Sequence, residues 1–153
     1  MISISTIRRR ATLILLGVAC IAAHAGAMAA SAVADAAMRQ DYQAIERLLS
    51  SKADVNAAQP DGTTALHWAA YRGDVKIATK LLAAHANPAA LTDTGMTPLS
   101  LACENGNTDL VRLLLKSGAD ANQTLTNGET PLMMAARTGR VPVMQLLLEH
   151  GAR

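Results

Sequence analysis

Phenylalanine is missing from this chain, which carries one tryptophan and two tyrosines in 153 residues although half of them are hydrophobic. A globule packed round one central core draws on aromatic side chains for bulk. Here the apolar mass is alanine and leucine, which suits a stack of thin layers instead. Cysteine is scarce too. With Cys20 in the leader described below, Cys103 stands alone, and no disulfide framework is available. Cys103 shares a column of small residues with Ala70 and Ala136, so it reads as a buried small residue before a reactive thiol.

Catalytic patterns are equally wanting. The chain has no G-x-S-x-G and no G-x-x-x-x-G-K-[ST], and no pair of carboxylates is set against an apolar segment. His67, His85 and His150 form no i, i+4 pair of the kind that binds zinc. The expectation is a chain without catalytic residues, metal ligands or a cofactor.

The first 30 residues stand apart. Arg8-Arg9-Arg10 precede an apolar run from Ala11 to Ala23, too short to span a bilayer. Ala23-His24-Ala25 and Ala27-Met28-Ala29 both fit an A-x-A cleavage site, so residues 1–29 read as a secretory signal peptide. Two alternatives stand beside it. The arginines could belong to a twin-arginine signal, although the hydrophobic residues expected just after the pair are missing. Gly17-Val18-Ala19-Cys20 could be a lipoprotein site, with Gly17 where leucine is usual, and would tether the protein to a membrane. Removing Arg8, Arg9 and Arg10 takes the formal charge from +2 to −1 and leaves no Lys/Arg cluster. Neither nucleic acid nor an anionic membrane surface is then suggested as a partner. The expected location is the periplasm, with secretion or a lipid anchor as alternatives.

What the chain does have is a pattern that returns every 33 residues: Gly62, Gly95 and Gly128; Leu66, Leu99 and Leu132; Gly73, Gly106 and Gly139; Ala53, Ala86, Ala119 and Ala152. Such self-similarity marks a repeat array. Each unit spells two short helices. Thr64, Thr97 and Thr130 stand at N-cap positions, with Pro98 and Pro131 following at the first helical residue. Gly73, Gly106 and Gly139 then end that helix. Asp41, Asp74 and Asn107 can cap a second helix, which carries stripes such as Ile77/Leu81/Leu82 and Leu110/Val111/Leu114/Leu115. Asp54-Val55-Asn56 and Asp120-Ala121-Asn122 then turn the chain toward the next unit.

Asp61-Gly62-Thr63-Thr64-Ala65-Leu66-His67-Trp68-Ala69-Ala70 resembles the opening of the ankyrin repeat, as do Gly95-Met96-Thr97-Pro98-Leu99 and Gly128-Glu129-Thr130-Pro131-Leu132. The resemblance runs from about residue 31 to residue 153. It implies an all-α solenoid of about four helix-turn-helix units joined by β-hairpin loops, with a repeat domain over 30–153 and repeats near 31–58, 59–91, 92–124 and 125–153. Lys52 and His85 replace the glycine that ends the second helix. Ser100 and Met133 replace the family histidine, so any bond that His67 makes between repeats is expected to be missing there.

The terminal repeats differ from the inner ones. Asp35 stands where Trp68, Leu101 and Met134 stand in the other units, and Arg47 where Leu113 and Leu146 stand; both read as polar capping of an outer layer. Ser31 projects onto the N-cap of the first helix. Leu146 is not a capping substitution, so the C-terminal face is expected to expose apolar surface unless the stop after the second helix suffices.

The resemblance also implies the function: a non-catalytic module that binds another protein through its hairpin tips and the concave side of its first helices. By column those positions are Met38 and Arg39; Asp61, Thr63, Tyr71 and Arg72; Asp93, Thr94, Met96, Glu104 and Asn105; and Asn127, Glu129, Arg137 and Thr138. Their mixture of Tyr, Arg and Met with single charges of both signs is the composition of protein interfaces. A structural or self-associating array, membrane-tethered if Cys20 is lipidated, is the alternative. N-terminal sequencing of the exported protein is expected to find a start between Gly26 and Ser31, keeping the first helix whole. A start beyond Asp35 would exclude this register for the first repeat.

Overall fold

The computed structural model describes residues 31–153. The proposed leader, with its arginines, both cleavage sites and Cys20, lies outside the described residues. Among the described residues eight helices follow one another in pairs: α1 (Ala32–Met38) and α2 (Tyr42–Ser50), α3 (Ala65–Arg72) and α4 (Val75–Ala83), α5 (Pro98–Asn105) and α6 (Thr108–Lys116), α7 (Pro131–Arg137) and α8 (Val141–Glu149). Each first helix packs on its own second helix. The first helices α1, α3, α5 and α7 also stack in one row, and α4, α6 and α8 in another. This is the all-α repeat solenoid expected.

Side-chain caps start five of these helices where the repeat pattern places them. Thr97 Oγ1 accepts the Ser100 N–H at 3.0 Å, and Thr130 Oγ1 accepts the Met133 N–H at 3.2 Å. Pro98 and Pro131 open α5 and α7, where no N–H is needed. The carboxylates of Asp41 and Asp74 and the Asn107 side-chain carbonyl accept the N–H of Ala44, Ile77 and Leu110. Each such cap is worth about 1 kcal/mol. Ser31 departs from this pattern. It occupies the N-cap of α1, but its hydroxyl donates to the Asp35 carboxylate at 3.4 Å and caps no backbone N–H.

Both helices end in the left-handed region. Gly73 and Gly106 close α3 and α5 at φ 69° and 72°, whereas α7 ends at Thr138, one residue before Gly139. Lys52 and His85 hold φ of 59° and 65° as the glycine column requires, and Gln40 holds 57° in the Gly73 column of the first repeat. A side chain there costs about 1–2 kcal/mol, so the first repeat carries two such positions.

The connections are short hairpin tips with a glycine in the left-handed region. The Gln59, Thr92 and Leu125 N–H groups donate to the Thr63, Met96 and Glu129 carbonyls at 2.8, 3.0 and 2.9 Å, closing three reverse turns. Among the described residues no strand forms. A Cβ on Gly62 would lie 2.9 Å from the Leu91 carbonyl oxygen, and one on Gly95 would lie 2.9 Å from the Thr126 nitrogen. Tips therefore stack backbone to backbone.

The ends of the array differ from expectation. Asp35 is half-buried, not turned to water: its Oδ1 accepts the Gln59 amide at 2.6 Å, and Gln59 Oε1 accepts the Trp68 indole N–H at 2.9 Å. It replaces an apolar contact by a satisfied polar one between the first two repeats. Leu146 is buried. The apolar surface of the last repeat comes instead from Met133, Val141 and Leu148, each more than half exposed. Met133 and Leu148 stand in the columns of His67 and Ser100, and of Leu115, all of which are buried within the array.

Leu81 and Leu114 are fully buried in the inner repeats, whereas Leu48 of α2 is half-buried. Truncating Leu81 or Leu114 to alanine is expected to cost about 2–5 kcal/mol in chemical denaturation, and Leu48→Ala less. Equal losses at the three sites would contradict a layered core.

Candidate functional site

Tips and first helices of the second and third repeats enclose a groove of about 370 Å³. Its apolar lining is Trp68 and Tyr71 of α3, Leu101 of α5 and Met96 of the third tip; Asp61, Thr63, Thr92, Asp93 and Thr94 form its polar edge, with His67 below. Tyr71 is 57% exposed and meets Trp68 edge-on, with centroids 6.0 Å apart and planes at 88°. Two of the chain's three aromatic residues thus line one surface feature.

Hydrogen bonds hold its walls together. The Asp93 N–H donates to the Asp61 carbonyl at 2.9 Å, tying one tip to the next. His67 joins the same two repeats from below. Its Nδ1 lies 3.1 Å from the Thr64 nitrogen and accepts that N–H, so in the neutral ring the proton sits on Nε2, which donates to the Met96 carbonyl at 3.0 Å. Ser100, in the same column one repeat later, turns inward instead. Its hydroxyl accepts the Thr97 N–H and donates to the Thr97 carbonyl. The bridge to the next repeat is missing there, as expected from the sequence.

The expected partner-binding residues separate into groups. Asp61, Thr63, Tyr71, Asp93, Thr94 and Met96 come together in the groove. Arg72 and Asn105 do not join them. Arg72 donates to the Met38 carbonyl at 2.9 Å and Asn105 to the Tyr71 carbonyl at 2.8 Å, so each caps the end of the preceding first helix. Both therefore spend these donors on the framework of the array. Thr138, in the same column, bonds carbonyls of its own helix. Arg137 pairs with Glu129 at 3.2 Å and Glu104 at 3.6 Å, an exposed ion cluster further along the stack. Asn127 accepts the Glu129 N–H within its own turn. Met38 is half-buried against Gln59, and Arg39 is exposed at the end of α1. Reading by columns missed Trp68, Leu101, His67 and Thr92. The signal for Trp68 was its size: it is the chain's one tryptophan, in a column that holds Asp35, Leu101 and Met134.

Among the described residues no cluster of three His, Cys, Asp or Glu could hold a metal ion. Cys103 is fully buried, which pushes its thiol up to about 12 and leaves no thiolate near neutrality. His150 bonds the Leu146 carbonyl through Nδ1 in the last turn of α8, and His85 serves through its backbone conformation.

His67 has a consequence for stability. Burial pushes its pKa down, with the Met96 and Ala90 main chain and the Asp61 charge acting in the other direction. Folding is therefore linked to the neutral ring. Its contribution is complete above about pH 6.5, the unfolded value, and is lost as pH falls through the lowered folded value. The Asp61 carboxylate, held low chiefly by the Thr63 N–H, titrates in a separate, more acidic window. Thermal melts from pH 8 to pH 5 are expected to show falling stability. His67→Ser should be less stable throughout but have a shallower slope in that range. An unchanged slope would remove His67 from the linkage.

The sequence family described as ankyrin repeats in three copies matches residues 33–124 and again 91–153. A search of curated proteins finds no match. With four stacked helix pairs and that match over most of its length, the chain belongs to the ankyrin-repeat family.

Proposed function

We infer that this chain acts as ankyrin repeats generally do, as a protein–protein interaction module. We propose that this chain is an exported adaptor or regulator, non-catalytic, which binds a partner protein through the groove between its second and third repeats. The observation that carries the reading is the concentration of Trp68, Tyr71, Met96 and Leu101 in one open trough of an otherwise alanine- and leucine-rich molecule. Aromatic anchors dominate the energetics of protein interfaces. Export rests on the sequence of residues 1–29, and the periplasm is the proposed location.

A second reading draws on Met133, Val141 and Leu148, which leave the last repeat with an apolar surface. On that reading the array self-associates, or stacks on further protein, through its end, at a membrane if Cys20 carries lipid. Among the described residues no helix is long and apolar enough to cross a membrane.

Affinity capture from the envelope fraction, with Tyr71→Ala as the paired bait, separates the two. Tyr71 makes no side-chain hydrogen bond and touches the framework through its edge contact with Trp68, so its truncation should lower folding stability by about 0.5–1.5 kcal/mol while losing the captured partner. Arg72→Ala should instead lower stability by about 1 kcal/mol, since it removes the Met38 cap. Exchanges at Lys76 and Lys116, exposed on the second helices, should leave capture intact. Capture that survives Tyr71→Ala and is lost with the lysine changes would move the binding face to the other side of the array.

A further inference from the structure

The groove's charge is of one sign. Asp61 and Asp93 stand on its rim, and no lysine or arginine lines it. The arginine next in sequence, Arg72, spends its guanidinium on the Met38 carbonyl. Asp61 uses one carboxylate oxygen in its own turn, where Oδ1 accepts the Thr63 N–H at 3.0 Å. Among the described residues the Asp93 carboxylate has no hydrogen-bond or ion-pair partner, and it is exposed. The backbone bond from Asp93 to Asp61 keeps the two on adjoining tips. Beneath them lie the exposed face of Tyr71 and the side of Trp68, whose indole N–H is already taken by Gln59.

An apolar trough under two carboxylates matches a side chain with an apolar stem and a cationic head. Arginine fits better than lysine. Its planar guanidinium stacks on aromatic rings and donates to two acceptors in a fixed fork. The volume, near the low end of the range for ligand sites, suits a few side chains of an extended segment. We infer that the groove recognises a segment of partner protein that inserts an arginine between apolar neighbours, its head held by Asp61 and Asp93 and its stem on Tyr71 and Trp68. The inference rests on the protein-binding reading above and names the chemistry of the partner.

The test uses immobilised nine-residue peptides with a fixed central residue (arginine, lysine, citrulline or glutamate) and randomised flanks, probed with the repeat protein. Hits are then titrated in solution by the emission of Trp68, the chain's one tryptophan. Arginine peptides should be captured most, with citrulline and glutamate versions at least tenfold weaker. Asp61→Asn with Asp93→Asn should weaken the arginine peptides about tenfold and flatten their salt dependence, since surface charge attraction is screened. That variant keeps its turn, because Asn127 accepts the equivalent N–H from Glu129 in the last tip. Equal capture of citrulline peptides, or no loss in the double variant, overturns the cationic recognition and leaves the protein-binding reading standing. Agmatine binding as tightly as the best peptide replaces the protein segment by a small cation. If no peptide of any class is captured, or Tyr71→Ala captures them unchanged, the groove itself is the wrong face and both readings fall.

Discussion

Each helix pair depends on its neighbour to satisfy main-chain groups that it cannot satisfy itself. The end of a helix leaves carbonyls without partners, and in this array the next repeat reaches back to supply them. Arg72 donates to the Met38 carbonyl, Asn105 to Tyr71 and Asn107 to Gly73. On the loop side, Asn56 donates to the His85 carbonyl and accepts the Asn87 N–H, and Asn122 does the same with Gly151 and Arg153. No buried side-chain nitrogen or oxygen among the described residues lacks a partner. A 33-residue period is what keeps donor and acceptor in step. A one-residue slip would break these bonds together, most of them exposed, at about 0.5–1.5 kcal/mol each.

This division explains what the sequence could and could not disclose. Helix starts and stops depend on residues three or four positions apart, so Thr97, Asp74, Asn107 and Gly106 were legible from their columns. The destinations of Arg72 and Asn105 were not. They depend on a main-chain atom 34 residues earlier, and nothing local distinguishes a tied arginine from a free one. Asp35 misled for a related reason: its partner Gln59 lies in the connection between repeats, outside the matching columns. Leu146 was expected to leave apolar surface on the last layer; it is buried, and Met133, Val141 and Leu148 supply that surface instead. The groove was half legible. Tyr71, Met96 and the two aspartates were on the expected face, whereas Trp68 and His67 were assigned to the framework and so set aside.

His67 shows that framework and site are not separate sets of residues here. Its ring is buried, caps its own helix start through Nδ1 and holds the third tip through Nε2. The Met96 residue whose carbonyl it binds contributes its side chain to the groove. The position of an interface residue is thus fixed by a core hydrogen bond, and a surface built this way loses little freedom on binding.

The junction between the second and third repeats is fastened differently from its neighbours. Asn56 and Asn122 grip the following loop at the other two junctions, but the equivalent residue here is Ala89, which has no donor or acceptor in its side chain. Beside the helix-end bonds from Asn105 to Tyr71 and Asn107 to Gly73, this junction is tied toward the tips, through His67 to Met96 and Asp93 to Asp61. These bonds flank the groove directly, so its two walls are held at fixed spacing where a ligand would sit. Rigid walls reduce the ordering cost that weakens most interfaces. The absence of an asparagine on the loop side and the presence of one histidine beneath the tips therefore act in the same direction: they shift the fastening of this junction toward its most apolar surface.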